Sequence, residues 1–120
     1  MSEARALADE AGVAAAVAAA YQKREPLAIE GNGSKSALLR PVQAARTLTT
    51  RNLSGITLYK PQELVLSARA GTPMHEIEGA LAEKGQMLIA EPPDTRPLFG
   101  PDLYATLGGE SLQGVVQDVP

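Results

Sequence analysis

The sequence predicts a small domain of mixed α and β structure that contains a parallel βαβ unit, and three observations support this. Residues 2–23 are rich in alanine and have a helical composition. Residues 27–29 form a short apolar strand that runs into a glycine-containing loop. Residues 64–70, 73–84 and 87–90 follow as a strand, a helix and a continuously apolar strand. Such a series predicts two parallel strands joined by a right-handed crossover.

The helix over residues 73–84 has clear start and stop signals. Thr72 is a suitable N-cap, Pro73 suits the first helical position, and Glu76 lies near the positive end of the helix dipole. Gly85 is a suitable stop. The apolar face of this helix consists of Met74, Ile77, Ala80 and Leu81. In the first helix, over residues 2–23, the corresponding face consists of Leu7, Val13, Val17 and Tyr21.

The remaining segments are predicted to be strands, turns and irregular structure. Residues 46–50 and 56–59 have strand-like patterns, and residues 52–55 between them are typical of a turn. Four prolines rule out regular structure as far as Asp102: Pro92, Pro93, Pro97 and Pro101. The end of the chain could form a strand, but no later segment is available to pair with it.

Composition and charge limit the classes of function. The chain has 120 residues, enough for one small domain, and a formal net charge of −3 without a basic cluster, which argues against nucleic acid as a partner. The absence of cysteine excludes disulfides, thiolate metal sites and iron–sulfur ligation by this chain. A single histidine excludes a multi-histidine metal site. No apolar run approaches the roughly 20 residues that span a bilayer, and acidic residues precede the alanine-rich start, so we expect a soluble, cytoplasmic protein.

The loop after the strand at residues 27–29 is the strongest candidate for a binding site. It consists of Gly31, Asn32, Gly33, Ser34, Lys35 and Ser36. Two glycines let main-chain N–H groups approach a ligand closely, and the serines and the lysine add hydroxyl donors and a positive charge. This composition is typical of a phosphate or pyrophosphate cradle. It is equally typical of a plain turn, because Gly, Asn and Ser are ordinary turn residues.

Two well-known phosphate-binding motifs do not fit this loop. A P-loop requires Gly directly before the lysine, but Ser34 precedes Lys35. The dinucleotide fingerprint G-x-G-x-x-G fits at Gly31 and Gly33 but then meets Ser36, and Pro41 blocks the long helix that should follow. The chain is therefore neither a P-loop kinase nor a Rossmann domain.

The order of the segments is more informative than any one of them. The loop GNGSKS is followed by Gly55-Ile56, by PQEL at 61–64, by RAGTP at 69–73, by AEPP at 90–93 and by TLGG at 106–109. In this order the segments resemble the FAD-binding domains of the vanillyl-alcohol-oxidase / p-cresol-methylhydroxylase type, and most of all the flavin subunits of glycolate oxidases. The resemblance covers about residues 26–109.

The resemblance implies an α+β fold in which a small parallel βαβ sheet, flanked by helices, is the first lobe of an FAD-binding domain. It implies that the FAD pyrophosphate lies at Gly31, Asn32, Gly33, Ser34, Lys35 and Ser36. The resemblance further implies that four residues lie along the pyrophosphate and the flavin end of FAD, namely Pro92, Thr106, Gly108 and Gly109. Some relatives attach the flavin through a histidine in the first loop. This loop has no histidine and the chain has no cysteine, so we expect non-covalent binding.

The implied function is that of a flavin-dependent 2-hydroxy-acid oxidoreductase that converts glycolate to glyoxylate. Electrons would leave through an iron–sulfur partner, in a complex with other flavin subunits. Relatives continue beyond the second glycine turn, which is the TLGG segment at residues 106–109. We therefore expect a truncated FAD-binding domain that is not catalytic alone. Its expected parts are an N-terminal helix (1–24), a pyrophosphate-loop lobe (25–93) and a Pro-rich segment with the second glycine turn (94–120). The alternative is a non-catalytic βαβ module that does not retain FAD and assembles with partner chains or as a homo-oligomer.

Individual residues suggest no catalytic group. His75 lies at the start of a helix, where exposure is the expected state. Arg69 ends a strand and is expected to form an ion pair. Lys35 is either a pyrophosphate contact or a solvated charge. Met74 and Met87 are expected to fill the core.

Overall fold

A computed structural model describes residues 4–34, 40, 43–88, 94, 96–100, 102, 104–107 and 116–119. Within these residues the chain forms one parallel sheet, two antiparallel strand pairs and three α-helices. No helix of the described residues is long and apolar enough to cross a membrane.

The parallel sheet contains β1 (Ala4–Ala6), β2 (Leu27–Glu30) and β3 (Arg46–Thr49) in the order β1-β3-β2. Helix α1 (Glu10–Lys23) connects β1 to β2, so the first 30 residues contain the parallel βαβ unit. The prediction that the helix begins near residue 2 is wrong. Pairing with β3 outweighs the helical propensity of the alanines in β1. The helix begins at Glu10 because the Asp9 carboxylate caps it, accepting a hydrogen bond from the Gly12 N–H at 2.7 Å.

Helix α1 does not bury the apolar face that its sequence predicts. Tyr21 is 84% exposed and Val17 is 42% exposed, whereas Ala20 is buried. Leu7 is buried too, but it lies in the segment before the helix. The helix is rich in alanine, the best helix former, so intrinsic propensity supports it without a wide buried stripe.

A β-hairpin follows the parallel sheet. It contains β4 (Ile56–Lys60) and β5 (Val65–Ala68), which pair antiparallel and are joined by a 3-10 turn at Pro61–Glu63. Leu64 closes this turn in the left-handed conformation, with φ 57°. The positions of these two strands confirm the sequence prediction.

The second strand pair contains β6 (Gln86–Leu88) and β7 (Val116–Asp118), also antiparallel. Two predictions are therefore wrong. The strands before and after helix α2 (Met74–Ala82) belong to different sheets among the described residues, so they do not form the expected parallel unit. The end of the chain does find a partner, because β7 pairs with β6 through Leu88–Val116, Met87–Gln117 and Gln86–Asp118. The predicted class, α+β with a small parallel sheet flanked by helices, is confirmed, but the parallel unit lies at the N-terminus.

The hydrophobic core lies around α2. Its buried members are Met74, Ile77, Leu81 and Ala105, and the partly buried side chains packed against them are Tyr59, Leu66, Ala68, Leu88 and Leu107. The predicted inner face of α2 is thus confirmed for its three large residues. The core joins α2 to the hairpin, to β6 and to residues 105–107.

Thr72 is not the side-chain cap of α2, as the sequence predicts. The helix begins after Pro73, and no side chain caps it. The fully buried Thr72 hydroxyl instead donates its one hydrogen to the Arg69 carbonyl oxygen (2.7 Å), lies 3.2 Å from the Gly55 carbonyl oxygen, and accepts a hydrogen bond from the Gly55 N–H (3.0 Å). Burial therefore directs the hydroxyl to loop carbonyls.

The Pro-rich segment contains a short helix, α3 (Arg96–Phe99), where the prolines were predicted to rule out regular structure. Pro97 occupies the first turn, where a missing N–H is tolerated because that N–H has no partner within the helix. The Asp94 carboxylate supports this start by accepting a hydrogen bond from the Arg96 N–H at 3.0 Å.

Candidate functional site

The first glycine loop leaves the sheet at the carboxyl end of β2, beside the carboxyl end of β3. The Thr50 N–H donates to the Glu30 carbonyl oxygen at 2.9 Å, which extends the β2–β3 ladder to the end of β2. The buried Thr49 hydroxyl donates to the Gly31 carbonyl oxygen. Two threonines at the end of β3 thus fix the path of the loop. Thr49 and Thr50 could not be identified from the sequence, because only the parallel register of β2 and β3 brings them to the loop.

The conformation of the loop suits a glycine at residue 33. Gly33 has φ 71°, a value that side chains disfavour, and an added Cβ would lie 3.4 Å from the Glu30 carboxylate. The next residue, Ser34, is buried, with 6% of its surface exposed. Among the described residues, none accepts a hydrogen bond from the main-chain N–H groups of residues 31–34. A run of N–H groups without protein acceptors is able to bind an anion.

Asn32 joins this loop to a segment some 70 residues further along the chain. Its side-chain Nδ2 donates to the carbonyl oxygens of Asp102 (2.5 Å) and Tyr104 (3.0 Å). Nδ2 carries two hydrogens, so these two hydrogen bonds use its full donor capacity. The structure therefore places residues 102 and 104, which lie shortly before Thr106, next to the first glycine loop.

Residues 104–107 are held from the other side by the start of α2. The Met74 N–H donates to the Ala105 carbonyl oxygen (2.8 Å), and the Leu107 N–H donates to the Thr72 carbonyl oxygen (2.9 Å). Pro73 and Thr106 form an isolated antiparallel bridge. The segment therefore runs between the glycine loop and the first turn of α2.

Two threonine hydroxyls near this junction are enclosed without a hydrogen-bond partner in the described part of the chain. They belong to Thr106, whose side chain is fully buried, and to Thr50. Leaving a buried hydroxyl unpaired costs about 1–3 kcal/mol. Such groups are typical of sites that are completed by another molecule or segment.

Five of the predicted site residues are placed by the structure, namely Gly31, Asn32, Gly33, Ser34 and Thr106. The other five lie outside the described residues, namely Lys35, Ser36, Pro92, Gly108 and Gly109. The first four described residues form the loop itself. Thr106 lies two residues beyond Tyr104, which the Asn32 side chain contacts. None of these placements by itself establishes contact with a cofactor.

A second set of polar side chains surrounds a cavity of about 40 Å³ between α2 and the segment around α3. The ionisable residues that line this cavity are His75, Glu78, Asp94 and Arg96. The exposed His75 ring meets Tyr104 edge to face, with centroids 5.6 Å apart. Hydrogen bonds from Arg96, together with its charge, lower the pKa of Asp94 to about 2. No group of three metal-ligating side chains occurs in the described ranges. This cluster is a surface ion pair around a small gap.

Arg69 forms the ion pair that its position predicts. Its guanidinium contacts the Glu10 carboxylate at 2.5 Å and donates to the Ser54 carbonyl oxygen at 3.3 Å. The pair joins the end of β5 to the first turn of α1. Arg69 is thus engaged in linking two elements of the fold.

Comparison with known proteins identifies the family of this chain. The model of the FAD binding domain matches residues 4–114. The chain belongs to this family of FAD binding domains. The predicted resemblance is thereby confirmed.

Two further comparisons agree with the family. The chain is 50% identical over 74 residues to the glycolate oxidase subunit GlcE of Escherichia coli K12. The matched region is 62% of this chain and 21% of GlcE, so the chain spans about a fifth of that relative. Its fold resembles that of an alkyldihydroxyacetonephosphate synthase, with a TM-score of 0.64 and 20% identity over 87% of this chain and 19% of the other.

FAD is the cofactor of this domain, and two features of the structure fit it. The glycine loop leaves main-chain N–H groups without acceptors among the described residues, as a pyrophosphate site requires. Gly33 keeps the loop free of a side chain where the left-handed conformation is needed. The loop has no histidine and the chain has no cysteine, so non-covalent binding stays the prediction for these residues.

Proposed function

We propose that this chain is the pyrophosphate-binding part of a flavin-dependent 2-hydroxy-acid oxidoreductase that converts glycolate to glyoxylate. Identity of 50% over 74 residues to a glycolate oxidase subunit supports this reaction and substrate class. Because the chain spans about a fifth of that relative, we infer that it is not catalytic alone. The residues that contact glycolate lie elsewhere in the complete enzyme.

The observation that carries the proposal is the position of the glycine loop. It lies at the carboxyl end of a parallel strand, and its N–H groups have no acceptors among the described residues. Ligands of open parallel sheets bind at this edge, and N–H groups presented by a glycine loop suit a diphosphate. Asn32 places residues 102 and 104 directly beside this loop.

The residues proposed to contact the cofactor are Gly31, Asn32, Gly33, Ser34, Lys35, Ser36, Pro92, Thr106, Gly108 and Gly109. Within the loop, the main-chain N–H groups donate to the pyrophosphate oxygens, and the Lys35 ammonium balances their charge. The bound flavin supplies the redox chemistry of the reaction, taking up the electrons that the substrate loses. The chain's own contribution is to bind and orient the cofactor.

The proposed partners are the other subunits of a glycolate oxidase complex, one of which carries iron–sulfur clusters. These 120 residues include no cysteine with which to bind such clusters, so we propose that an electron acceptor of that kind lies outside them. We place the complex in the cytoplasm. Co-purification of the complete enzyme with its partner subunits, followed by iron and flavin analysis, tests this assignment.

FAD binding is tested by titrating the purified protein with FAD and following the quenching of flavin fluorescence. We expect saturable binding, weakened about tenfold by Gly33→Ala, a factor that corresponds to about 1.4 kcal/mol. The added Cβ disfavours the left-handed conformation and turns the loop N–H groups away from the pyrophosphate.

Gly85→Ala is the matched control. Gly85 has φ 64°, close to the 71° of Gly33, and an added Cβ would meet no atom within 4 Å. This variant should lose similar stability and bind FAD like the unmodified protein. Equal weakening by both variants would mean that loss of stability alone explains the effect. A folded protein without saturable binding would instead favour the non-catalytic assembly module.

Glycolate as substrate is tested on the complete oxidoreductase. Under anaerobic conditions, glycolate should bleach the absorbance of the oxidised flavin, whereas acetate, which lacks the hydroxyl group, should not. Bound flavin that glycolate fails to bleach would exclude this substrate and retain the FAD assignment.

A further inference from the structure

Asn32 makes a contact that a phosphate-binding role does not require. Its side-chain Nδ2 has two hydrogens, and both are directed to main-chain carbonyls, those of Asp102 at 2.5 Å and Tyr104 at 3.0 Å. The side-chain amide nitrogen is therefore committed to the protein. Any hydrogen bond that Asn32 donates to the cofactor comes from its main-chain N–H.

The segment that Asn32 holds has few other attachments among the described residues. Residues 105 and 107 are hydrogen-bonded to Met74 and Thr72 at the start of α2, and Ala105 packs in the core. On the side of the glycine loop, the hydrogen bonds found in the described residues are the two from Asn32. Among the described residues, the direct hydrogen bonds between the loop and this segment thus come from one side chain.

We propose that Asn32 is a positioning residue, whose side-chain amide holds residues 102 and 104–107 against the first glycine loop and thereby couples FAD binding to the docking of that segment. This inference rests on the proposed FAD site. If FAD contacts both the loop and residues from Thr106 onward, it binds best when the two are held together. By linkage, bound FAD must then strengthen the docking by the same factor.

The test compares Asn32→Ala with the unmodified protein by amide hydrogen exchange without FAD. The Leu107 and Met74 amides report docking directly, because their hydrogen bonds join the segment to α2. We expect both to exchange about tenfold faster in the variant, the factor for about 1.4 kcal/mol of lost docking energy. The Leu81 amide in the middle of the core should not change. Acceleration at Leu81 by the same factor would show a general loss of stability and overturn the positioning role.

The second measurement adds FAD. In the unmodified protein, FAD should slow exchange at Leu107, and in Asn32→Ala this protection should fall about tenfold together with the affinity for FAD. Full protection at Leu107 in the variant would overturn the coupling. If the unmodified protein binds no FAD, the proposed function fails, whereas the exchange without FAD still decides whether Asn32 docks the segment.

Asn32→Asp provides a sharper variant, and Asn52→Asp is its control. A carboxylate of the same shape accepts hydrogen bonds but donates none, so it repels the carbonyls of residues 102 and 104. Asn52 lies exposed in the turn after β3, where the same substitution adds the same charge away from the loop. We expect fast exchange at Leu107 for Asn32→Asp only. Equal effects of both substitutions would assign the change to net charge and contradict the proposal.

Discussion

A β-carbon on Gly71 would overlap the main-chain carbonyl oxygen of Thr50, and it would also lie 2.8 Å from the carbonyl oxygen of Leu53. The Gly71 N–H donates to Leu53 at 2.7 Å, so the two main chains touch without an intervening side chain. This contact joins the end of the parallel sheet to the start of α2. It therefore sets the distance between the glycine loop, which follows β2, and residues 105–107, which contact the start of α2.

Gly71→Ala is expected to destabilise the fold by about 3 kcal/mol or more, because the clash is with main-chain atoms that cannot rotate away. Urea unfolding measures this change. Gly79→Ala is the control, since Gly79 lies in α2 with nothing within 4 Å of an added Cβ. That substitution should stabilise the protein by about 0.5–1 kcal/mol through helix propensity. A Gly71→Ala protein as stable as the unmodified one would disprove the close contact.

Thr72→Val is expected to cost about 1–3 kcal/mol, because it leaves the part-buried Gly55 N–H without its hydroxyl acceptor. Thr72→Ser, which keeps the hydroxyl, should recover most of this loss. Thr57→Val is the control, since the Thr57 hydroxyl makes an exposed hydrogen bond to Ser67 at 3.3 Å. Thermal unfolding of the three variants distinguishes these cases. Equal losses for Thr72→Val and Thr57→Val would show that burial of the hydroxyl is unimportant.

The Asp94–Arg96 pair predicts a dependence of stability on acid pH. The pKa of Asp94 is lowered from 3.8 to about 2, so the folded state favours the ionised carboxylate. Its stabilising contribution is complete above about pH 4 and is lost as the pH falls towards 2. An NMR titration of the Asp94 carboxyl should show this pKa, and Arg96→Met should return it towards 3.8. Arg46→Met, which removes the partner of Glu25 instead, should leave the Asp94 titration unchanged.

Tyr59 predicts a loss of stability at alkaline pH. Two causes raise the pKa of Tyr59 above its usual value of 10.0. Partial burial is the larger cause, and the charge of the nearby Asp118 carboxylate is the smaller one. The folded state therefore binds the phenol proton more tightly than the unfolded state, and stability falls as the pH rises above 10. The phenol donates to the Gln86 side chain, whose Nε2 donates in turn to Pro61 and Asp118. Urea unfolding at rising pH should show a steeper loss for the unmodified protein than for Tyr59→Phe, and identical slopes would contradict the prediction.

Much of the site could be predicted from local sequence. The strand before Gly31 and the left-handed residue at Gly33 follow from apolar residues meeting a glycine-rich loop. The inner face of α2 follows from the spacing of Met74, Ile77 and Leu81. The roles of Asn32 and Thr72 could not be predicted in this way. Apart from Arg69, which is three residues from Thr72, their hydrogen-bond partners lie 17 to 72 residues away in the chain, at main-chain groups that carry no sequence signal.

The sequence by itself determined the glycine loop, the α2 helix and the hairpin strands, because these depend on residue types at short spacing. It also determined the family, through the order of the segments from the glycine loop to residue 109. Only the tertiary structure decided which strands pair. Residues 4–6 have helix-forming alanines but pair with β3, and residues 116–118 find β6 as partner from the far end of the chain. Strand pairing is a choice among distant segments, and its energy comes from contacts that exist only after the chain has folded. For the same reason, the contact of Asn32 in the glycine loop with residues 102 and 104 became visible only in the folded chain.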